Sequence, residues 1–228
     1  IRMDTYPYAD YDAMSNWMKE LNEEYPNYNT VGETWVTEPA YTAWWQMDSK
    51  LSAPKNSNLK TVMDFSFFDK INTAKNEQTE TWFKGLDRVY NNFVYDFLYP
   101  NPASVLAFIE NHDTDRFLGE GNNLPMLKQA STLLLTTRRI PQLYYGTEIM
   151  MNGVKSKSDG YVRKDFPGGW TGDTETALTA AGRSKIQNEC YNFYKTLLNW
   201  RKGNDVIAKG NMVQFMVQNG VYAYARQH

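Results

Sequence analysis

Short apolar runs that break off at a polar residue alternate with longer stretches whose apolar positions recur every three or four residues, the pattern of repeated βα units. The first run is Ile1-Arg2-Met3-Asp4. Tyr11, Met14, Met18 and Leu21 follow at helical spacing until Pro26 ends the stretch. Residues 28–32 predict the next strand, leading into an aromatic segment at 35–47. Residues 59–65 predict a third strand, and Trp82, Leu86, Val89, Phe93 and Phe97 mark an amphipathic helix. A fourth strand is expected at 104–109, a helix through Met126, Leu127, Ala130, Leu133 and Leu134, and a fifth strand at 140–145. A Gly-rich loop from 146 to about 182 precedes a last helix marked by Ile186, Phe193, Leu197 and Trp200.

Beyond Gly203 the period changes. Val213, Phe215 and Val217 alternate with polar residues, Asn219-Gly220 signals a type I′ turn, and Val221-Tyr222-Ala223-Tyr224 follows. Such a hairpin has too few strands to stand alone. Eight βα units close a barrel, whereas five leave two open parallel edges. The expected fold is therefore α/β, a partial TIM (β/α)8 barrel over 1–203, then the start of an antiparallel β domain at 204–228. The missing N-terminal barrel units are expected to lie outside this chain and to be needed to complete the fold.

Composition narrows the function. Lys and Arg total 24 against 26 Asp and Glu, so no electrostatic footprint for nucleic acid or an anionic membrane is expected. No apolar run approaches the roughly 20 residues of a membrane span. Cys190 is the single cysteine, which excludes an internal disulfide; its apolar-periodic surroundings predict a buried thiol. Aromatic residues reach 15%, which fits sugar stacking but also an aromatic-rich α/β core. Among them, Trp44, Trp45 and Trp82 are expected in core or interhelix packing.

Three apolar runs end in carboxylates: Arg2-Met3-Asp4, Val31-Gly32-Glu33-Thr34-Trp35, and Phe108-Ile109-Glu110-Asn111-His112-Asp113. Strand ends of a parallel barrel share one face, so these acids can converge there. Glycosidic-bond cleavage needs such a set: a proton donor, a nucleophile and stabilisation of a cationic transition state. Arg2 lies two residues from Asp4, on the same side of a strand, and a guanidinium keeps a carboxylate ionised and oriented. Glu33 stands beside bulky apolar positions, where desolvation favours a held proton. Asn111, His112 and Asp113 crowd one turn; Asp115 reads as an N-cap of the next helix. Trp35 is a candidate sugar platform. Arg163, Asp165, Phe166 and Trp170 form either a binding wall or a packed loop.

In this order the motifs resemble the conserved regions of the α-amylase family, glycoside hydrolase family 13. Ile140-Pro-Gln-Leu-Tyr-Tyr-Gly-Thr-Glu148 resembles its strand eight. Arg163-Lys-Asp-Phe-Pro-Gly-Gly-Trp170 resembles a loop of the neopullulanase and cyclomaltodextrinase branch. The resemblance places the chain at barrel strands four to eight. It implies Asp4 as nucleophile, Glu33 as general acid/base and Asp113 as the transition-state carboxylate. Arg2, His112, Trp35, Asn111, Arg163 and Asp165 would bind substrate or orient the acids. The reaction implied is retaining cleavage of α-1,4 bonds in starch-derived oligosaccharides, pullulan or cyclodextrins.

Where many family members carry a Lys-His pair that contacts a structural calcium, this chain has Pro7-Tyr8, so that calcium contact is unmatched; no cofactor is required and no metal ligand is assigned. The same motifs serve transglycosylases, and a non-catalytic glycan-binding or scaffold relative is the reading from another class. Retention of all three acids weighs against the latter, while the isolated segment is expected to be inactive. A homodimer of the full enzyme is allowed, and similar enzymes are periplasmic or cytoplasmic in bacteria.

Overall fold

A computed structural model describes residues 1–78, 82–137 and 140–228. Contacts divide the chain into two compact units: Ile1–Phe108 with Arg138–Gln142 and Gly210–His228, and Ile109–Thr137 with Leu143–Lys209.

The first unit holds a five-stranded parallel sheet in sequence order. Its strands are β1 (Arg2–Met3), β2 (Val31–Gly32), β3 (Thr61–Met63), β4 (Val105–Ala107) and β5 (Ile140–Pro141). Between them run α1 (Tyr11–Glu24), α2 (Pro39–Trp44), α3 (Phe65–Ala74) and α4 (Leu86–Val94). The register pairs Met3 with Gly32, Val31 with Thr61, Val62 with Val105 and Leu106 with Ile140. Side chains alternate across the sheet, so both faces must be covered. On one side Met3, Val62 and Val105 pack with Tyr6, Met18, Ala43, Leu59 and Tyr99. Met63, Phe65 and Phe108 form a second cluster with Val31, Phe68 and Leu106. Each large side chain buried in this way contributes about 1.5–3 kcal/mol.

The strands are shorter than the apolar runs. Phe65 belongs to α3 rather than to the third strand, because the Asp64 side chain accepts from the Phe67 amide at 2.8 Å and caps the helix. The amphipathic stretch expected from Trp82 starts as a helix only at Leu86; Phe83 and Gly85 stand at φ 61° and 55°, which interrupts helical backbone. Trp82 is consequently 73% exposed, not packed as expected.

The hairpin expected from Asn219-Gly220 is present in the same unit. β6 (Asn211–Gln214) pairs antiparallel with β7 (Tyr224–Gln227), and the turn residues take φ 51° and 71°, the double-positive pattern of a type I′ turn.

The second unit is helical: α5 (Leu124–Thr136), α6 (Asp159–Val162), α7 (Lys185–Lys202) and α8 (Asp205–Lys209). Asn123, not Asp115, caps α5, accepting from the Met126 amide at 3.1 Å. Asp115 instead accepts from the Lys155 amide at 2.6 Å and ties two loops together. Ser184 and Gln187 form a capping box at the start of α7. Cys190 on α7 is fully buried, and burial pushes its thiol up to about 12. No helix among the described residues is long and apolar enough to cross a membrane.

Candidate active site

The register of β1 and β2 builds the first half of the site. Pairing of Arg2 with Val31 and Met3 with Gly32 makes Asp4 and Glu33 the next positions along the two parallel strands. The Glu33 amide donates to the Met3 carbonyl at 2.8 Å, which extends the ladder to that point. Gly32 permits the close packing beneath: a Cβ there would lie 2.7 Å from Leu59 Cδ2 and 3.1 Å from Tyr6 Cγ.

One guanidinium holds both acids. Arg2 Nη1 donates to Asp4 Oδ1 at 2.7 Å and Arg2 Nη2 to Glu33 Oε1 at 2.6 Å. The other Glu33 oxygen accepts from the Thr5 amide at 2.8 Å. Thr5 reaches it from φ 46°, ψ 35°, the left-handed region. Glu33 is buried while the Asp4 side chain is 66% exposed, so one carboxylate is fixed from within and the other faces solvent. The apolar setting read for Glu33 from its neighbours is corrected in one respect: charged and amide donors, not hydrocarbon, meet its oxygens.

Trp35 stacks on Phe65, with centroids 4.6 Å apart and planes 17° apart, and stays 43% exposed. Phe65 is seated edge-on against Phe108 at 4.9 Å, so a partly open indole rests on a rigid aromatic base. Pro7 and Tyr8 lie in a 3-10 turn, Tyr6–Tyr8, with Tyr8 81% exposed. Among the described residues no group of three or more His, Cys, Asp or Glu could hold a metal ion. Pro7 and Tyr8 do not supply the Lys-His pair associated with that calcium contact.

The second unit carries the Asn-His-Asp turn. Asp113 is gripped at both oxygens: Arg163 Nη2 donates to Oδ1 at 2.7 Å, and His112 Nε2 lies 2.9 Å from Oδ2. Arg163 Nε also donates to the His112 carbonyl at 2.8 Å. The loop arginine and the Asn-His-Asp acid are thus direct partners. Asn111 is buried; its Oδ1 accepts from the Asp113 amide at 2.8 Å, and its Nδ2 has no hydrogen-bond partner among the described residues. Asp165 is exposed, and Trp170 is 67% exposed.

Glu110 and Arg116 went unassigned from sequence. Both are buried, 3.3 Å apart as an ion pair. The Glu110 carboxylate also accepts from the Thr147 hydroxyl and the Phe117 amide. Burial pushes this carboxyl up, opposed by the Thr147, Phe117 and Arg116 donors. Arg116 Nη1 donates to the Tyr145 carbonyl at 2.6 Å and Nε to the Val162 carbonyl at 3.0 Å. Its guanidinium carbon lies 4.0 Å from the Tyr144 ring centroid, a cation–π contact. This network pins the chain after Asp113 to the segment after β5. The signal was an acidic residue inside an otherwise apolar run, and an arginine six residues on.

Five parallel strands paired strictly in sequence order and alternating with helices have the arrangement of a segment of a (β/α)8 barrel, the class of protein to which the solved relatives below belong. The chain belongs to the alpha-amylase family: the model of the alpha amylase catalytic domain matches residues 4–167. It is 30% identical over 227 residues to an alpha-amylase of Niallia circulans, covering 100% of this chain and 38% of that protein. To a cyclomaltodextrin glucanotransferase of Thermoanaerobacterium thermosulfurigenes it is again 30% identical over 227 residues, covering 100% and 28%. In fold it resembles the alpha-amylase of Geobacillus thermoleovorans solved with acarbose, with a TM-score of 0.76 at 21% identity, covering 100% of this chain and 45% of that one. The chain spans well under half the length of these relatives.

Proposed function

We propose that this chain carries acids of a retaining glycoside hydrolase acting on α-1,4-linked glucans, with Asp4 as nucleophile and Glu33 as general acid/base. The observation that carries this reading is the Arg2 guanidinium bonded to both carboxylates, which holds two acids on neighbouring strand ends. Asp4 attacks the anomeric carbon as the glycosidic C–O bond breaks, and the leaving oxygen takes a proton from Glu33. Glu33 then takes a proton from water, whose oxygen displaces the Asp4 carboxylate and releases the sugar with its configuration retained. Asp113, held by Arg163 and His112, is assigned the carboxylate that stabilises the oxocarbenium-like transition state. His112, Asn111, Trp35, Arg163 and Asp165 are assigned to sugar binding; for Trp35 the half-open ring supports this.

The test is cleavage of maltoheptaose, followed by NMR, by this chain completed with N-terminal barrel units, since the isolated segment is expected to be inactive. The α-anomer is expected first, and Asp4→Asn and Glu33→Gln each remove at least about 1,000-fold of the rate, as loss of a member of a catalytic set does. A β-anomer as first product, or full activity in either variant, overturns the assignment.

Relatives named cyclomaltodextrin glucanotransferase favour a second reading, transfer of the glycosyl group to another sugar. Cyclic or lengthened products from maltoheptaose support transfer; glucose and maltose alone support hydrolysis. Cleavage of pullulan tests the neopullulanase-like reading drawn from the 163–170 stretch.

A further inference from the structure

Arg116 is 1% exposed, and its ion pair with Glu110 brackets the Asn-His-Asp turn from both sides. Stability alone gives no reason for this pair. Desolvating two charges offsets most of what their attraction returns, and an apolar pair of similar volume packs at least as well. Arg116 also leaves Nη2 without a hydrogen-bond partner among the described residues, a further cost. What an apolar pair lacks is direction. A guanidinium holds its acceptors in a planar fork.

The acceptors it holds lie on both sides of one residue. Nε donates to the carbonyl of Val162, immediately before Arg163, at 3.0 Å. Nη1 donates to the Tyr145 carbonyl at 2.6 Å, and the hydroxyl of that same tyrosine donates to the carbonyl of Lys164, immediately after Arg163, at 2.7 Å. The Tyr144 and Tyr145 rings close over the guanidinium, with centroids 4.0 and 5.0 Å from its carbon. Val162 is itself fully buried, so one side of this clamp is seated in the core. The residue between the two anchored carbonyls is the one that donates to Asp113 Oδ1 at 2.7 Å. Arg163 has a choice of acid, because the same Nη2 lies 3.3 Å from Asp159 Oδ2. A modest displacement of its main chain decides which carboxylate it serves.

We propose, resting on the transition-state role assigned above to Asp113, that Arg116 is a positioning residue: it anchors the backbone on both sides of Arg163 so that this arginine grips Asp113 and not Asp159. Buried as it is, Arg116 touches no sugar and acts only through Arg163. Glu110 is the counter-charge that keeps it in place. Asp113 is thereby aimed before substrate arrives, and no reorganisation is left for the moment at which charge develops on the sugar.

The experiment uses the chain completed with its N-terminal barrel units. Arg116→Lys keeps a charge opposite Glu110, but one ammonium on a flexible stem cannot hold the Val162 and Tyr145 carbonyls in a fixed fork. It is expected to lower kcat for maltoheptaose about tenfold or more while KM stays within about twofold, the mark of an interaction used in the transition state. In an Arg163→Gln background the same replacement is expected to lower the rate no further, because its route to Asp113 is already cut; a loss through misfolding would multiply in both backgrounds. Should the lysine variant not fold, Glu110→Leu with Arg116→Met fills the same space without charge and carries the same expectation. Limited trypsin digestion reads the clamp without turnover. Cutting after Arg163, followed by mass spectrometry, is expected to speed up several-fold in either variant while the thermal midpoint stays near that of the parent. An unchanged kcat, an equal loss of rate in both backgrounds, or unchanged cutting after Arg163 overturns the proposal. A parent that fails to cleave maltoheptaose while Arg116 still governs cutting at Arg163 refutes the glycosidase reading and leaves the clamp standing.

Discussion

The backbone N–H of Thr5 donates to Glu33 Oε2 at 2.8 Å, and it does so from a left-handed conformation, φ 46° and ψ 35°. For a β-branched residue this backbone costs about 1–2 kcal/mol relative to glycine. The strain is retained at the residue after the proposed nucleophile, where it aims an amide at the proposed acid/base.

Two substitutions separate the strain from the hydrogen bond. Thr5→Gly relieves the torsion and keeps the amide, so it is expected to hold or raise stability by up to about 1 kcal/mol. Thr5→Pro forbids the torsion and deletes the donor, leaving a buried carboxylate oxygen short of a partner at a cost of about 2 kcal/mol or more. Urea unfolding of the two variants reads both effects. Equal stability of the proline variant and the parent would remove the amide from the account of the site.

Gly32 has a role that no turn explains. A methyl group there meets Leu59 Cδ2 at 2.7 Å, and Leu59 is fully buried against Tyr6 and Met18. Gly32→Ala is expected to destabilise by about 1–3 kcal/mol, the range for overpacking a filled core. Because Gly32 precedes Glu33, the strand end should shift too, and in the chain completed with its N-terminal barrel units the loss of maltoheptaose cleavage should exceed what the unfolded fraction explains. The double variant Gly32→Ala, Leu59→Ala makes room and should recover part of the stability in the same unfolding experiment.

The carboxylates at strand ends were legible because their polarity interrupts apolar runs, and the hairpin because Asn-Gly encodes a double-positive turn. Trp82 was misread for a physical reason. Its apolar spacing continues that of α4, but Phe83 and Gly85 adopt positive φ and stop the helix before reaching it. Asp115 failed as a helix cap because Lys155, forty residues on, supplies its amide partner. The same distance hid the Glu110 network, since Thr147 and the Tyr145 carbonyl lie beyond β5 in the chain. Local patterns disclose what punctuates an element; they do not disclose which distant loop answers it.

That network makes its own prediction. Glu110→Ala leaves the buried Arg116 guanidinium without its counter-charge and frees the donors of Thr147 and Phe117. Breaking one side of a buried pair costs about 3–5 kcal/mol. Glu110→Gln keeps a hydrogen-bond acceptor and should cost less. Chemical denaturation should rank parent, Glu110→Gln and Glu110→Ala in that order; an alanine variant as stable as the parent would show the pair to be dispensable.

A last prediction concerns pH and the pair formed by Glu77 and Arg88. Arg88 grips the carboxylate in a fork, Nε at 2.6 Å and Nη2 at 2.7 Å, and the Gly85 amide adds a donor at 2.9 Å. The Arg88 hydrogen bonds are the larger cause that holds Glu77 down at about 2. The unfolded chain, with an ordinary glutamate, binds more protons than the folded one between that value and about 4.3. Folding therefore gains from this carboxylate above the ordinary value, and the gain is lost as pH falls towards about 2. The Glu77 and Arg88 side chains are 19% and 31% exposed, so solvent screening keeps the contribution modest. Arg88→Gln should return Glu77 to the ordinary range and move the acid-unfolding midpoint to higher pH. Carboxyl-detected NMR titration of Glu77 reads the first effect directly, and an ordinary value in the parent would refute the fork as its cause.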